Sequence, residues 1–250
     1  MPSNPLPHPE RSAERAVEGR TAFPQSVSHL GTTVATLAVF DLDGTLTCGD
    51  TFRLFAAWYL ARRPWRLARC WLLPLDAALY EAGLRDNGWL KARTLAALLG
   101  GAREESVAAS ANAFVRRVME SGMRPGALAA LGAHRTAGDR TLLLSANLDI
   151  LVRPFAASLG IAETLSTIAE RDAEGRFTGR LAGTNCYGDE KRRRLEAWLG
   201  TARAGSRVVV YADHRSDLPL MRWADKAVLV NPSPGTRRAA RGMPVEVVAW

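Results

Sequence analysis

The chain has 250 residues, of which 47% are hydrophobic and 23% are charged, so most of it is expected to fold as one domain or as a core with a smaller insert. Lysine and arginine outnumber aspartate and glutamate by 33 to 25, which gives a formal net charge of +8 and favours anionic partners. The three cysteines, Cys48, Cys70 and Cys186, form no CxxC pair, which argues against a disulfide scaffold or a cysteine zinc site and fits a reducing cytoplasm.

The first half of the chain divides into a tail, a strand and a helical segment. Residues 1–32 are rich in Pro, Ser, Arg and Glu and are predicted to form a mobile tail without a signal peptide. Residues 34–40 are a continuous apolar run that ends at Asp41, as a buried parallel strand ends at a loop. In residues 51–121 apolar side chains recur at helical spacing, with a second helix expected to begin near Pro64. This segment is therefore predicted to be an all-helical insert.

Strands and helices alternate after the predicted insert. Strands are expected at residues 140–144, 163–169, 207–211 and 227–230, with a hairpin arm at 176–181, and helices at 125–138, 148–159, 191–199 and 218–223. This order predicts an α/β core, residues 33–50 and 122–250, built on a parallel sheet with helices on both faces. Ligands bind such sheets at the carboxyl ends of the strands, where Asp41, Ser145 and Asp213 are expected.

The sequence FDLDGTL, residues 40–46, follows the first predicted strand and carries the strongest chemical signal. Asp41 and Asp43 are two residues apart, and such close carboxylates raise each other's pKa unless a hard cation such as Mg²⁺ intervenes. One carboxylate can attack phosphorus while the other protonates the leaving alcohol and later activates water. A solvated turn is the alternative, whereas a calcium loop is excluded because Thr45 and Phe52 stand where oxygen ligands belong.

The run from Asp41 to Thr45 resembles the first motif of the haloacid dehalogenase superfamily. The other motifs of that family are matched in order by Ser145, by Lys191 and by the acidic pair Asp213 and Asp217. The closest subgroup is the IB branch of phosphoserine phosphatase-like enzymes. The resemblance implies a Rossmann-like core with an inserted helical C1-type cap, residues 51–121, and a Mg²⁺-dependent phosphatase that forms an aspartyl phosphate.

The resemblance also implies a role for each site residue. Asp41 would be the nucleophile and Asp43 the acid and base. Asp217 would orient Lys191 or a metal-bound water, and His214 and Asn147 depart from the common pattern in ways that bear on the substrate. The phosphate would be bound by Thr45, Ser145, Asn147 and Lys191, and the metal by Asp41, the backbone carbonyl of Asp43, and Asp213.

The substrate is sought in the predicted cap, where Arg62, Arg63, Arg66 and Arg69 are interleaved with tryptophans. Helical spacing would place Arg66 and Arg69 on one side and apolar residues on the other, which suits a membrane interface. A similar cap occurs in bacterial phosphatidylglycerophosphatases of this branch, so a lipid phosphate at the cytoplasmic face of a membrane is one expectation.

Two alternatives remain. In the first, the cap helix packs on the core, and the substrate is a small soluble metabolite such as phosphoserine, whose carboxylate Arg62, Arg63 or Arg66 would bind. In the second, the chain is a non-catalytic, basic protein that binds nucleic acid or a membrane surface. The strand-end carboxylates argue against nucleic acid, which needs none of them. The oligomeric state is left open.

Overall fold

The computed structural model describes residues 35–250, so the predicted tail, residues 1–32, lies outside the described residues. The strands are β1 (Ala35–Phe40), β2 (Arg140–Leu148), β3 (Glu163–Thr167), β4 (Ala169–Arg171), β5 (Phe177–Leu181), β6 (Ser206–Ala212), β7 (Lys226–Val230) and β8 (Val245–Val248). The helices are α1 (Thr51–Ala61), α2 (Leu73–Glu81), α3 (Asn87–Leu99), α4 (Glu104–Ser121), α5 (Pro125–Thr136), α6 (Asp149–Leu159), α7 (Asp189–Leu199), α8 (Leu218–Trp223) and α9 (Pro234–Ala239).

A six-stranded parallel sheet in the order β3-β2-β1-β6-β7-β8 forms the core, with β4 and β5 as a separate antiparallel hairpin. Ala38 and Phe40 of β1 pack into one hydrophobic cluster together with α6, whereas Leu37 and Val39 pack into a second cluster with α7 and α8. Because both faces of this strand are buried, its sequence is a continuous apolar run rather than an alternating one. The predicted α/β class with a parallel sheet is confirmed.

Two parts of the sheet differ from the prediction. β2 continues to Leu148, with a register shift against β3 between Leu144 and Leu148, so Ser145 and Asn147 lie within an irregular strand end. The edge strand β8 and helix α9 were not predicted, because Glu246 interrupts a run of only a few apolar residues. Pairing with β7 supplies the hydrogen bonds that this short strand needs.

Residues 51–121, called the helical insert below, contain helices and no strand. The regular helix expected from Pro64 is absent, because residues 64–69 form a 3₁₀ helix and a turn precedes α2. Arg66 and Arg69 still share one side, because both donate to the carbonyl of Gly100, whereas Trp71 lies in the turn beyond the 3₁₀ helix. None of the helices within residues 35–250 is long and apolar enough to cross a membrane.

The chain enters and leaves the helical insert through two neighbouring segments. Thr47 and Met123 form an antiparallel bridge, and the backbone N–H of Arg124 donates to the carbonyl of Leu46 at 2.9 Å. The insert is thus attached directly beside the loop that follows β1. Its division from the core as a substrate-selecting cap stays a prediction.

Candidate active site

The carboxyl ends of β1, β2 and β6 bring three predicted site residues to one edge of the sheet. Asp41 follows β1, and its backbone N–H donates to the carbonyl of Tyr211 at 3.0 Å, which continues the pairing with β6. Asp213 follows β6, and Ser145 lies on the other side, in β2. All three line one cleft of about 870 Å³ between the core and the helical insert. This convergence is what a parallel sheet produces at its carboxyl edge.

Gly44 allows the loop after β1 to approach Asp213. Its φ of 79° is one that side chains disfavour, and a Cβ at this position would lie 2.2 Å from a carboxylate oxygen of Asp213. Only glycine therefore permits Asp213 to sit against the loop that carries Asp41 and Asp43.

Lys191, in the first turn of α7, connects two acidic residues that are far apart in the sequence. Its buried Nζ lies 2.7 Å from Asp41 Oδ1 and 2.8 Å from Asp217 Oδ1. Burial would lower the pKa of Lys191, but the two carboxylates outweigh it and raise the pKa, so the ammonium stays charged. Burial likewise raises the pKa of Asp41, against the opposing effect of Lys191.

The carboxylate of Asp43 is held by hydrogen bonds from Thr51 and Asn147. Its Oδ1 accepts hydrogen bonds from the Thr51 backbone N–H at 2.7 Å and from the Thr51 hydroxyl at 2.5 Å, and its Oδ2 accepts one from Asn147 Nδ2 at 3.1 Å. Burial raises the pKa of Asp43 to about 6, although the Thr51 bonds oppose this. A carboxyl with such a pKa can exchange protons near neutral pH, as an acid and base must.

The acidic residues at the sheet edge fit a hard divalent cation. Oxygen atoms of Asp41, Asp213 and Asp217 all lie within 4.8 Å of one another. Burial raises the pKa of Asp213 to about 6, and the charge of Asp217 contributes to the same shift. Lys191 offers one positive charge to these three carboxylates, so a bound cation with oxygen ligands would stabilise their ionised forms further. Asp41 and Asp213, with backbone oxygens of the loop, would hold Mg²⁺.

Asn147 and Thr45, both predicted to bind phosphate, are not placed to do so as directly as Ser145 and Lys191. Asn147 lines the cleft, but its amide donates to Asp43 and to Thr51 Oγ1. Thr45 is fully buried and does not line the cleft, and its hydroxyl has no hydrogen-bond partner among the described residues. Ser145 and Lys191 remain as the predicted phosphate ligands that face the cleft.

The predicted substrate-binding arginines of the insert do not line the cleft. Arg62 lies over the ring of Trp58, and Arg63 donates to Ser110. Arg66 and Arg69 donate to backbone carbonyls at the end of α3. The contacts of these four arginines lie within the insert itself, and the substrate role predicted for them has no support in the cleft lining.

Two residues that bond to the site were not assigned a role from the sequence. Thr51 begins α1 directly after its capping residue Asp50, and it is buried against Asp43 without lining the cleft. Lys91 in α3 donates to the carbonyl of Ala146 and lines the cleft. Burial lowers the pKa of Lys91 to about 8, while Asp43 and Asp50 oppose the shift.

Comparisons with known proteins agree with this geometry. A family model described as haloacid dehalogenase-like hydrolase matches residues 38–222. The chain is 32% identical over 191 residues to Protein CicA of Caulobacter vibrioides, covering 76% of this chain and 83% of that protein. It is 31% identical over 226 residues to histidinol-phosphatase of Neisseria meningitidis, covering 84% and 97% of the two chains.

Solved structures share the fold. A protein of unknown function from Bordetella pertussis superposes with a TM-score of 0.75 at 28% identity, covering 86% of this chain and 99% of that one. A substrate-bound phosphoserine phosphatase superposes with a TM-score of 0.59 over 86% and 92% of the two chains, and its 16% identity indicates a common fold alone.

Proposed function

The chain belongs to the haloacid dehalogenase-like hydrolase family, and we propose that it is a Mg²⁺-dependent phosphatase in which Asp41 is transiently phosphorylated. The observation that carries the proposal is the buried contact of Lys191 with both Asp41 and Asp217 at the floor of the cleft. A lysine in this place favours the ionised form of the attacking carboxylate, against the effect of burial, and adds positive charge where a phosphate dianion would bind.

In the first step, a carboxylate oxygen of Asp41 attacks phosphorus and the bond to the leaving alcohol breaks. Asp43 donates its proton to that alcohol, which requires it to be protonated at the start. Lys191 and Ser145 bind the negative oxygens of the transferred group. Bound Mg²⁺ would supply further positive charge beside those oxygens.

In the second step, water attacks the phosphorus of the aspartyl phosphate. Asp43, now ionised, takes a proton from this water, and the bond between phosphorus and Asp41 breaks. Inorganic phosphate leaves, and both carboxyl groups return to their starting states. Thr51 and Asn147 would keep Asp43 in one orientation through both steps, since each donates a hydrogen bond to it.

Hydrolysis of an aryl phosphate with and without Mg²⁺ tests the reaction class. Asp213→Ala should raise the Mg²⁺ concentration needed for half-maximal activity, because a proposed ligand is lost. Glu105→Ala, at an exposed position in α4, is the matched control and should leave the Mg²⁺ requirement unchanged. Full activity of the parent protein after thorough chelation would contradict the proposal.

For the substrate, we propose a small soluble phosphomonoester. Outside the acidic cluster, the cleft lining carries both signs of charge, with Arg53 on one hand and Asp50 and Glu81 on the other. Such a lining suits a substrate with its own ammonium or carboxylate group, and one relative similar to this chain is named histidinol-phosphatase. The experiment compares kcat/KM for histidinol phosphate, phosphoserine and glycerol phosphate. Equal, low values for all three would oppose this substrate class.

A lipid phosphate is the second candidate, and the outer surface of the insert favours it. Five large apolar side chains of the insert are exposed to solvent: Trp65, Leu67, Trp71, Leu75 and Leu84. Trp65 and Trp71 are 69% and 74% exposed, and the stretch from Arg62 to Leu75 carries four arginines and no acidic residue. Exposed tryptophans beside arginines suit an anionic bilayer surface. On this alternative the protein would work at the inner face of the membrane.

Vesicle sedimentation distinguishes the two substrate classes. On the lipid alternative, the protein should sediment with anionic vesicles and not with neutral ones, and Trp65→Ser with Trp71→Ser should release it. Leu128→Ser in α5, another exposed apolar residue, is the control and should have no effect. Absence of sedimentation with either vesicle would leave the soluble phosphomonoester as the substrate.

A further inference from the structure

Lys91 extends from the helical insert to the floor of the cleft. Its Nζ donates a hydrogen bond to the carbonyl of Ala146, which also accepts one from the Thr167 hydroxyl at 2.8 Å. Ala146 lies between Ser145 and Asn147, in the irregular end of β2. The insert therefore places a cation directly beside the residue that is expected to bind phosphate.

The two proposed reaction steps assign no role to the Lys91 ammonium. Lys191 is shared by Asp41 and Asp217, so its charge is already matched by carboxylates. A phosphate monoester brings up to two further negative charges into a cleft that holds four buried or half-buried carboxylates, those of Asp41, Asp43, Asp213 and Asp217. Another positive group near Ser145 would offset part of that repulsion.

We propose that Lys91 is a second phosphate-binding cation, supplied to the active site by the helical insert. An ammonium has three N–H donors, and Ala146 accepts from one of them. Within residues 35–250 no other acceptor is bonded to this ammonium, so its remaining donors are available to oxygens of a phosphate held by Ser145. The inference rests on the proposed phosphatase function and adds to it: the insert binds the phosphate that is common to all substrates, besides the part that differs between them.

The alternative is that Lys91 only tethers the insert to the core. A second contact of this kind exists, because Asn185 Nδ2 donates to Asn87 Oδ1 at 2.6 Å. Asn185 belongs to the core and does not line the cleft. Asn185→Ala therefore weakens the tether, and also removes a 2.8 Å contact with the Thr167 hydroxyl, without changing the charge of the site, which makes it the control.

The test is the binding of inorganic phosphate, measured by calorimetry in the presence of Mg²⁺ and as competitive inhibition of aryl phosphate hydrolysis. Lys91→Met and Lys91→Gln should each weaken phosphate binding about tenfold, because a charge-assisted hydrogen bond is lost. Lys91→Arg should restore most of it, and Asn185→Ala should bind phosphate as the parent does. Thermal unfolding of each variant establishes that it is folded.

Phosphate affinity of Lys91→Gln equal to that of the parent would overturn the proposal. A loss of the same size in Asn185→Ala, with no rescue by Lys91→Arg, would assign Lys91 to the tether instead. Calorimetry does not depend on turnover, so these results differ from a failure of the phosphatase function, which would show as a parent protein that hydrolyses no phosphate monoester.

Discussion

The carboxyl edge of the sheet and the helical insert are both rich in charged side chains, but they use them in different ways. At the sheet edge, Lys191 is buried between Asp41 and Asp217, which come from other parts of the sequence. In the insert, Arg66 and Arg69 donate to backbone carbonyls around Gly100, where α3 ends. The first arrangement concentrates charge in a buried place, whereas the second satisfies the free carbonyls of a helix end.

The difference shows that the function of a basic residue depends on its position in the fold and on the groups that surround it there. Buried, mutually paired charges are costly to assemble, so they are retained where chemistry needs them. Partly exposed arginines on carbonyl groups contribute modest stability and need no substrate to explain them. Substitutions at the sheet edge should therefore lower activity more than stability, and substitutions of the insert arginines should do the reverse.

The largest effect is expected at the sheet edge, for Asp41→Asn. An amide is a poor nucleophile, so kcat should fall by more than about 10⁴-fold while the fold is kept. Steady-state hydrolysis of an aryl phosphate and the thermal unfolding midpoint measure the two quantities. Substantial activity in a clean preparation would contradict the catalytic role of the sheet edge, because Asp41 would then have only a structural role.

Thr51 tests the boundary, since it begins the insert yet donates to Asp43. Thr51→Val removes the hydroxyl and keeps the shape and the backbone N–H bond, so kcat should fall roughly 10- to 100-fold through the misplaced acid and base. Thr136→Val, which loses a hydroxyl bond to a carbonyl within α5, serves as the control and should leave kcat unchanged. A parental kcat for Thr51→Val would mean that the backbone bond alone orients Asp43.

Phosphate affinity should depend on pH if the Lys91 ammonium, which the insert supplies, binds phosphate. Its pKa is lowered to about 8 by burial, against the charges of Asp43 and Asp50. The ammonium is thus present below pH 8 and is lost above it, so phosphate inhibition should weaken by up to about tenfold between pH 7 and pH 9.5. Lys91→Arg should remove this weakening. An identical pH profile in both proteins would contradict the assignment.

The smallest effect on activity is expected for Arg66→Met. Loss of its bonds to Leu98 and Gly100 should lower the free energy of unfolding by about 1 kcal/mol, while kcat/KM on a soluble aryl phosphate stays within about twofold of the parent. Chemical denaturation and steady-state kinetics measure the two changes. A loss of kcat/KM well beyond twofold in a variant that is folded would indicate that Arg66 contacts the substrate after all.

The sequence predicted the sheet edge well because parallel strands end at a common edge. Apolar runs marked β1 and β6, so the placement of Asp41 and Asp213 followed from the order of the strands. Lys191 was identified by the family resemblance, since it heads a run of four basic residues that looks like a solvated helix face. Burial between two carboxylates is a property of the fold and leaves no local pattern.

The insert was predicted less well because its contacts join segments that are far apart in the sequence. Arg66 and Arg69, in the 3₁₀ helix, donate to carbonyls at the end of α3, and no spacing between neighbouring residues predicts that contact. Thr51 bonds to Asp43 from the start of the insert and Lys91 bonds to Ala146 from α3, and no spacing within the insert predicts either contact. The residues that join the two regions were therefore the ones that the sequence did not reveal.

The most direct test of the phosphorylated aspartate uses Asp43→Asn. With an activated aryl phosphate, whose leaving group needs little protonation, this variant should still transfer the phosphoryl group and then fail to hydrolyse it. Rapid quench and intact-mass measurement should show the mass of one phosphoryl group, and peptide mapping should place it on Asp41. A variant that releases the aryl alcohol without ever carrying phosphate, or that carries it on another residue, would contradict the mechanism.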